Sequence, residues 1–306
     1  MKQSYDVIVI GGGAAGSAAA GYLGSKKWTT LLVDKQIEDG FLGGLKVVNS
    51  FPGIKESVSG AEVITRMRNQ AEASGVFIKK LEITGVDFAS NQKKITGGDQ
   101  EFEVKAVVLA TGAAKRTGYS NGERELLGRG VSRNAEADLS LSIGNEVAVI
   151  GKTKRAVNDV MELSKYAKKI YFVIPSNKLN IDNRQLSNLE ENSKIELLFS
   201  TSLKTINGSD KVESITIFAV GAEKNVLVGA VYDYTHQYEP VNKFLKDALK
   251  VEDTKGIPVD DKFKTTVEGI FACGDILCAE PQNPIVSIAQ GLLAAAEVDR
   301  YLINRK

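Results

Sequence analysis

Three glycines and one acid carry the spacing that most directly implies chemistry. Gly11, Gly13 and Gly16 fill a G-x-G-x-x-G pattern, and Asp34 follows eighteen residues after the last of them. The first glycine permits a tight turn, the second lets backbone approach a pyrophosphate, and the third lets a helix lie close against a strand. A helix starting at Ala14 and Ala15 would turn unpaired N–H groups and the positive end of its dipole toward that pyrophosphate. A carboxylate at Asp34 would accept both hydroxyls of an adenosine ribose. It would repel a 2′-phosphate, which favours FAD or NAD over NADP. The plainer alternative is an ordinary glycine turn between strand and helix.

Nucleophiles and proton carriers are few. Cys273 and Cys278 are the two cysteines, spaced C-x-x-x-x-C, and His236 is the single histidine. Two cysteines cannot make a disulfide framework, and one histidine excludes most histidine-rich metal sites, so no metal is expected. His236 has the right unperturbed pKa for proton transfer near neutrality. With Tyr232, Tyr234 and Tyr238 it forms a row spaced two apart, one face of a strand. Such a row can stack on a flavin or substrate, or serve as a structural aromatic patch, which is the favoured reading. Cys273, Cys278 and His236 are the candidates for a catalytic role, weighed against the reading of both thiols as small buried side chains.

The elements that position these residues follow from apolar runs and turn residues. Residues 7–10 suit a buried parallel strand, 14–24 a helix of small residues, and 30–33 a second strand that ends on Asp34. Between Asp34 and Gly60, Gly43–Gly44 and Pro52–Gly53 exclude a regular helix and imply a loop over the ligand. Residues 60–74 regain helical spacing, with Ile64, Met67 and Ala71 in the core. Short strands are expected at 76–78, 93–95 and 102–104. Residues 106–112 form a buried strand that ends in Thr111–Gly112, at the edge where parallel strands face a ligand crevice.

Residues 146–150, 156–166 and 169–173 restate the strand–helix–strand opening, so a second nucleotide-binding unit is expected. Its turn reads Gly151, Lys152, Thr153, Lys154, Arg155, Ala156, with a side chain at Thr153 where backbone would have to meet phosphate. Ile174, Pro175 and Ser176 then offer neither an acid for a ribose nor an arginine for a 2′-phosphate. The three cations around the turn either hold phosphate by charge or line a solvated loop. Further strands are expected at 195–198, 214–219 and 226–231. Residues 269–275 bring a strand to Gly274–Asp275, an acid suited to a ribityl hydroxyl. The last helix, 284–304, has Ile285, Ile288, Ala289, Leu292 and Ala296 on one face, and its start near Ile285 would stabilise negative charge on a reduced ring. The expected fold is α/β, with two Rossmann-like (three-layer ββα/βαβ) nucleotide-binding domains, the second inserted into the first.

Bulk properties exclude other classes. A length of 306 residues suits one large domain or two ordinary ones, and the nested repeat favours two. With 39 basic and 38 acidic residues, no field recruits nucleic acid or an anionic membrane. No apolar run approaches the roughly 20 residues that span a bilayer. The N-terminus enters a strand without a charged leader, so a cytoplasmic protein is expected.

In order, the segments GGGAAG, FPG ahead of the helix at Gly60, ATGA, LLGRGVS, EVAVIG, GIFACGD and the alanine-rich last helix resemble the low-molecular-weight thioredoxin reductases across nearly the full chain. The resemblance implies FAD held by residues 1–116 and 244–306, a pyridine-nucleotide domain at 117–243, a homodimer, and a swivel of the domains during turnover. By position it implies FAD contacts at Gly11, Gly13, Ala15, Gly16, Asp34, Gly44, Thr111, Gly112 and Asp275. The neighbours Ala14, Lys35, Gly274 and Ile285 complete the expected cofactor site. Asn49 and Ser50 join it, standing where the family has an asparagine before its aromatic-Pro-Gly step. So does Asn283, where Gln282–Asn283 replaces an arginine-glutamine pair.

The redox half departs from the family. There a C-x-x-C pair follows G-R-G-V-S; here Asn134 and Ala137 hold the cysteine positions, and neither can form the thiolate that attacks a disulfide. Asp138, the family's proton-donor position, is kept. Ile174, Pro175 and Ser176 replace the H-R-R signature for NADPH, which weakens the case for NAD(P)H. The expectation is an FAD-binding flavoprotein oxidoreductase that does not reduce thioredoxin with NADPH. Its electrons would come from a protein donor, from NADH or from a small substrate, and leave to oxygen or a quinone. Two alternatives stay open: a non-catalytic FAD-binding paralogue with a structural or regulatory role, and a ferredoxin/NAD(P)H-type flavin reductase, against which Thr153 and Pro175 argue. A flavin-linked role for Cys273 and Cys278, which flank Asp275, is set against a strand end that the family places by the ribityl chain.

Overall fold

The structure is a computed structural model that describes residues 2–36, 40–48, 51–54, 57–90, 92–115, 120–135, 138–235, 238–249, 251, 256–278 and 283–305. The chain divides into two compact units, one of Met1–Gly44, Ser59–Ala114 and Tyr238–Lys306, the other of Leu45–Val58 and Lys115–Gln237. The division expected at 116/117 and 243/244 differs from this at its margins and in one segment, since Leu45–Val58 groups with the inserted unit.

In chain order the elements are β1 (Lys2–Ile10), α1 (Ala14–Ser25), β2 (Thr30–Asp34), α2 (Gly60–Ala73), β3 (Phe77–Lys80), β4 (Gly85–Asp87), β5 (Lys93–Gly97), β6 (Gln100–Leu109) and β7 (Ala113–Lys115). The inserted unit supplies α3 (Glu123–Leu126), β8 (Val131–Ser132), β9 (Glu146–Ile150), α4 (Lys154–Leu163), β10 (Lys169–Val173), α5 (Asn183–Glu190), β11 (Ile195–Leu198), β12 (Ser202–Asn207), β13 (Ser214–Ala219), β14 (Ala222–Leu227) and β15 (Ala230–Asp233). The chain then returns through β16 (Tyr238–Pro240), β17 (Ile270–Ala272) and α6 (Pro284–Ile303).

In the first unit β1 is central because every residue of its apolar run is buried and successive side chains feed opposite layers. Val7 and Val9 join the core under α1 and α6, while Ile8 and Ile10 join the one that also holds Ile95, Phe102 and Leu245. The sheet runs β3-β2-β1-β6-β5-β4, with β17 against the far half of β6. β6 is one strand where two were expected. Its first residues pair antiparallel with β5, and its last three, 107–109, pair parallel with β17.

α6 lies where the last helix is expected and packs on α1 through small residues. Its buried side is Ser287, Gly291, Ala294, Ala295, Val298, Asp299 and Leu302, small enough for close packing on α1, and Ile285 and Leu292 from the expected face are exposed. In α2, Met67 is only half-buried and Arg68 takes the buried position beside Ile64 and Ala71.

The inserted unit repeats the plan with a parallel sheet, β11-β10-β9-β15-β8, and adds an antiparallel sheet, β12-β13-β14. The strand expected at 226–231 is the end of β14 and the start of β15, parted by Val228 and Gly229. In both parallel sheets the chain leaves the central strand for one neighbour and returns on its other side. Ligand crevices of doubly wound sheets form at such a switch point. Among the described residues no helix is long and apolar enough to cross a membrane.

Candidate functional site

The turn from β1 to α1 lies at the first switch point. Gly11 donates its N–H to Val33 O (2.8 Å) and has φ +101°, and a Cβ there would sit 2.4 Å from Ala110 O. A Cβ on Gly16 would lie 1.8 Å from Gly11 O, so only glycine lets α1 come this close to the turn. Gly13 is different: a Cβ there would meet nothing within 4 Å. As N-cap residue of α1 it contributes no side-chain hydrogen bond, and the first turn holds no acid. Room, helix-end amides and a first helical turn without an acid together fit the pyrophosphate of a dinucleotide.

Asp34 ends β2 beside this turn. Its Oδ2 accepts from Gly12 N–H (2.8 Å) and from Arg68 Nη2 (2.6 Å), and its Oδ1 accepts from Gln36 N–H (3.1 Å). Burial pulls the Arg68 guanidinium below its ordinary value, and the Asp34 carboxylate works against that pull. Lys35 points elsewhere, exposed and 3.7 Å from Glu82 Oε1. Gly44 closes a turn by donating to Gly40 O (2.9 Å). Asn49, Ser50 and His236 lie outside the described residues.

The remaining expected contacts sit at the carboxyl ends of the neighbouring strands. Thr111 Oγ1 donates to Val241 O (2.6 Å) and Val241 N–H to Gly112 O (3.0 Å), so this pair ties the departing chain to the returning one. Gly274 N–H donates to Gln290 Oε1 (2.8 Å), and Asp275 Oδ1 accepts from Ser287 Oγ (3.0 Å), which locks the β17 end onto α6. A Cβ on Gly274 would lie 2.8 Å from Ala15 Cβ, which places this end against the start of α1. Asn283 caps α6 by accepting from Ile285 N–H (2.8 Å), the amide expected to face a reduced ring, so a ligand there would compete with the cap. The sequence reading missed Arg68, Ser287 and Gln290. A cation on the buried stripe of α2 was the available signal for the first.

The second switch point is finished by the protein itself. Thr153 caps α4, its hydroxyl accepting from Ala156 N–H (3.2 Å). Lys152 and Lys154 are exposed, but Arg155 turns to Asp159 (3.8 Å) and over the Tyr234 ring (5.6 Å). The Tyr234 hydroxyl donates to Asp159 Oδ2 (2.5 Å); its burial and the Asp159 charge push its pKa up. Tyr232 is fully buried and bonds Asp138 O (2.9 Å), so these two rings anchor a core, as the structural alternative held.

At the family's dithiol positions, Asn134 is buried, with its N–H on Ser132 Oγ (3.1 Å), and Ala137 lies outside the described residues. Ser132 Oγ also reaches Asp138 Oδ2 (2.7 Å). Of the actual thiols, Cys273 is fully buried and pushed up to about 12 by that burial; Cys278 is raised by burial and by the Asp275 charge. Neither is activated as a thiolate. Among the described residues no group of three or more His, Cys, Asp or Glu could hold a metal ion.

Fold and turns define a protein built from two Rossmann-type nucleotide-binding units, one with an open cradle. More particularly, the chain belongs to the pyridine nucleotide-disulphide oxidoreductase family, whose sequence profile matches residues 5–291, and within it is thioredoxin reductase-like. It is 32% identical over 305 residues to a thioredoxin reductase of Aquifex aeolicus, covering 99% of this chain and 94% of that relative. Among solved structures it is similar to thioredoxin reductase from Streptococcus pyogenes (TM-score 0.91, 26% identity, 98% and 99% of the two chains). It is also similar to that from Giardia duodenalis (TM-score 0.86, 26% identity, 98% and 99%).

Proposed function

We propose that this chain is a thioredoxin reductase-like flavoprotein that holds FAD in its first unit and does not pass electrons to thioredoxin through NADPH and a dithiol. The observation that carries this reading is the contrast between the helix starts. At Gly13 the protein leaves space and an uncapped turn, whereas at Thr153 its own hydroxyl fills the equivalent place. Gly11, Gly13, Ala14, Ala15 and Gly16 would receive the pyrophosphate, Asp34 the adenosine ribose, and Asp275 the ribityl chain. Bound FAD supplies reversible two-electron transfer at its ring. The protein's part is to hold the adenine half rigidly and to keep Cys273 protonated and away from exchange. The exposed apolar side chains of α6, Ile285, Leu292, Leu293 and Ile303, suit a homodimer. A protein electron donor in the cytoplasm fits the loss of nicotinamide features.

A second reading, an FAD-binding paralogue with a structural or regulatory role, is favoured by the Arg155–Asp159–Tyr234 cluster, which commits the second switch point to packing. Anaerobic titration of the FAD-loaded chain with NADH, NADPH, reduced ferredoxin and dithionite separates the two. Bleaching by a biological donor with no thioredoxin reduction is the expected result. Bleaching by dithionite alone selects the second reading. A colourless protein that takes up no FAD would overturn both, and thioredoxin reduction abolished by Cys273→Ser would overturn the dithiol argument.

A further inference from the structure

Gly12, between the two glycines that shape the cradle, is gripped from both ends. Its N–H donates to Asp34 Oδ2 (2.8 Å). Its carbonyl oxygen accepts from Arg68 Nε (3.0 Å), from Arg68 Nη2 (2.8 Å) and from Ser17 Oγ (3.0 Å). Arg68 on α2 and Ser17 on α1 are both buried, and Nη2 also reaches Asp34 Oδ2 (2.6 Å), which ties the two ends together. A carbonyl oxygen offers two lone pairs, so this one is bonded more heavily than a turn requires. A Cβ on Gly12 would lie 2.6 Å from Nη2 and 2.9 Å from Asp34 Oδ2, so a side chain here would push the guanidinium off the carbonyl. That accounts for the middle glycine of the Gly11–Gly12–Gly13 run.

The grip on this oxygen also fixes the amide that follows it. A peptide unit is planar and trans, so its carbonyl and the next N–H point to opposite sides. With Gly12 O held by Arg68 and Ser17, Gly13 N–H is turned away from both. It donates no hydrogen bond among the described residues, and a Cβ on Gly13 would meet no atom of them within 4 Å. Two successive glycines leave the peptide between them easy to rotate. Rotated by half a turn, it would present an oxygen where an anion needs a donor.

We propose that Arg68 and Ser17 are positioning residues that lock the Gly12–Gly13 peptide with its N–H outward, ready for the pyrophosphate of a bound dinucleotide. Neither side chain touches the ligand. This rests on the FAD reading of the first unit and adds how the cradle is held in its binding form before the ligand arrives. Ser17 is the cleaner probe, because its hydroxyl bonds Gly12 O alone among the described residues, whereas Arg68 also holds Asp34.

The test is binding of FAD, ADP and adenosine to the full-length apoprotein, for wild type, Ser17→Ala and Arg68→Gln, by calorimetry and by the ¹H–¹⁵N signal of Gly13. Ser17→Ala should weaken FAD and ADP about three- to tenfold, the effect of one hydrogen bond, and leave adenosine unchanged, since adenosine carries no phosphate for the Gly13 amide. Arg68→Gln should weaken ADP by about tenfold or more, and adenosine as well through Asp34. A merely structural role predicts equal loss of ADP and adenosine in Ser17→Ala together with a lower melting temperature, and that result overturns the proposal. So does unchanged ADP affinity in that variant. Should the variants fail to fold, the wild type decides. A downfield shift of the Gly13 amide on adding ADP but not adenosine, with Arg68 Nε–H slow to exchange in the apoprotein, supports the proposal. A Gly13 amide unmoved by ADP, or a freely exchanging Arg68 Nε–H, overturns it. Wild type that binds neither FAD nor ADP sinks the FAD reading and this inference with it, whereas wild type that binds both beside an unaffected Ser17→Ala sinks only this one.

Discussion

The two strand–turn–helix openings start from the same plan and end in opposite states. At the first, a Cβ on Gly13 would meet no atom of the described residues within 4 Å and α1 has no side-chain cap; at the second, Thr153 supplies both the side chain and the cap. The first therefore leaves its helix-start donors to a ligand, whereas at the second the Thr153 hydroxyl takes one of them, the Ala156 N–H. What separates a binding unit from a packing unit here is one residue's choice between giving the helix a partner and withholding it.

Exchanging the two residues tests this directly. Gly13→Thr should cap α1, raise the apoprotein melting temperature slightly, and reduce FAD affinity by about a hundredfold or more, because the new side chain fills the pyrophosphate approach. Flavin titration and thermal melting together check it, and unchanged FAD binding would break the comparison. Gly16→Ala should do the reverse, destabilising the first unit by about 3 kcal/mol or more through the clash with Gly11 O. Thr153→Gly should cost about 1 kcal/mol or less in α4 and raise the affinity for NADH a few-fold. Equilibrium unfolding and fluorescence titration measure the two effects.

The smallest effect concerns the thiols. Cys273 stays protonated in the fold up to about 12 against an ordinary value of 9.0. Above 9.0 the unfolded chain therefore binds fewer protons than the folded one. The stability from the neutral buried thiol is complete below that pH and is lost as pH rises toward 12. Melting curves of wild type and Cys273→Ala across the alkaline range should converge. A disulfide reagent at neutral pH should modify Cys278 slowly and leave native Cys273 untouched.

Much of this architecture was legible because the strands are short runs rich in apolar and β-branched residues. The runs at 146–150, 169–173, 195–198 and 214–219 coincide with β9, β10, β11 and β13. β6 was read as two strands because Lys105, half-exposed, interrupts the apolar pattern, although the backbone pairing continues past it. α5 was missed because it buries only Leu189 and shows no apolar stripe; its signal was the capping box of Asp182 with Gln185. The side of α6 that packs on α1 was not readable from its larger apolar residues, because alanine and glycine face α1. At the site, glycine spacing and Asp34 were readable as a local pattern. Arg68 was not, since its role depends on α2 returning to a turn more than fifty residues away.

The discontinuity of the first unit bears on how the chain is made. Every strand of the inserted parallel sheet lies between Val131 and Asp233, so that sheet can close as soon as those residues emerge from the ribosome. The earlier strands must wait for β17 and α6, which follow the inserted unit in the chain. The middle of the nascent polypeptide thus matures first, and β1, although translated before it, is among the last segments to reach its permanent surroundings.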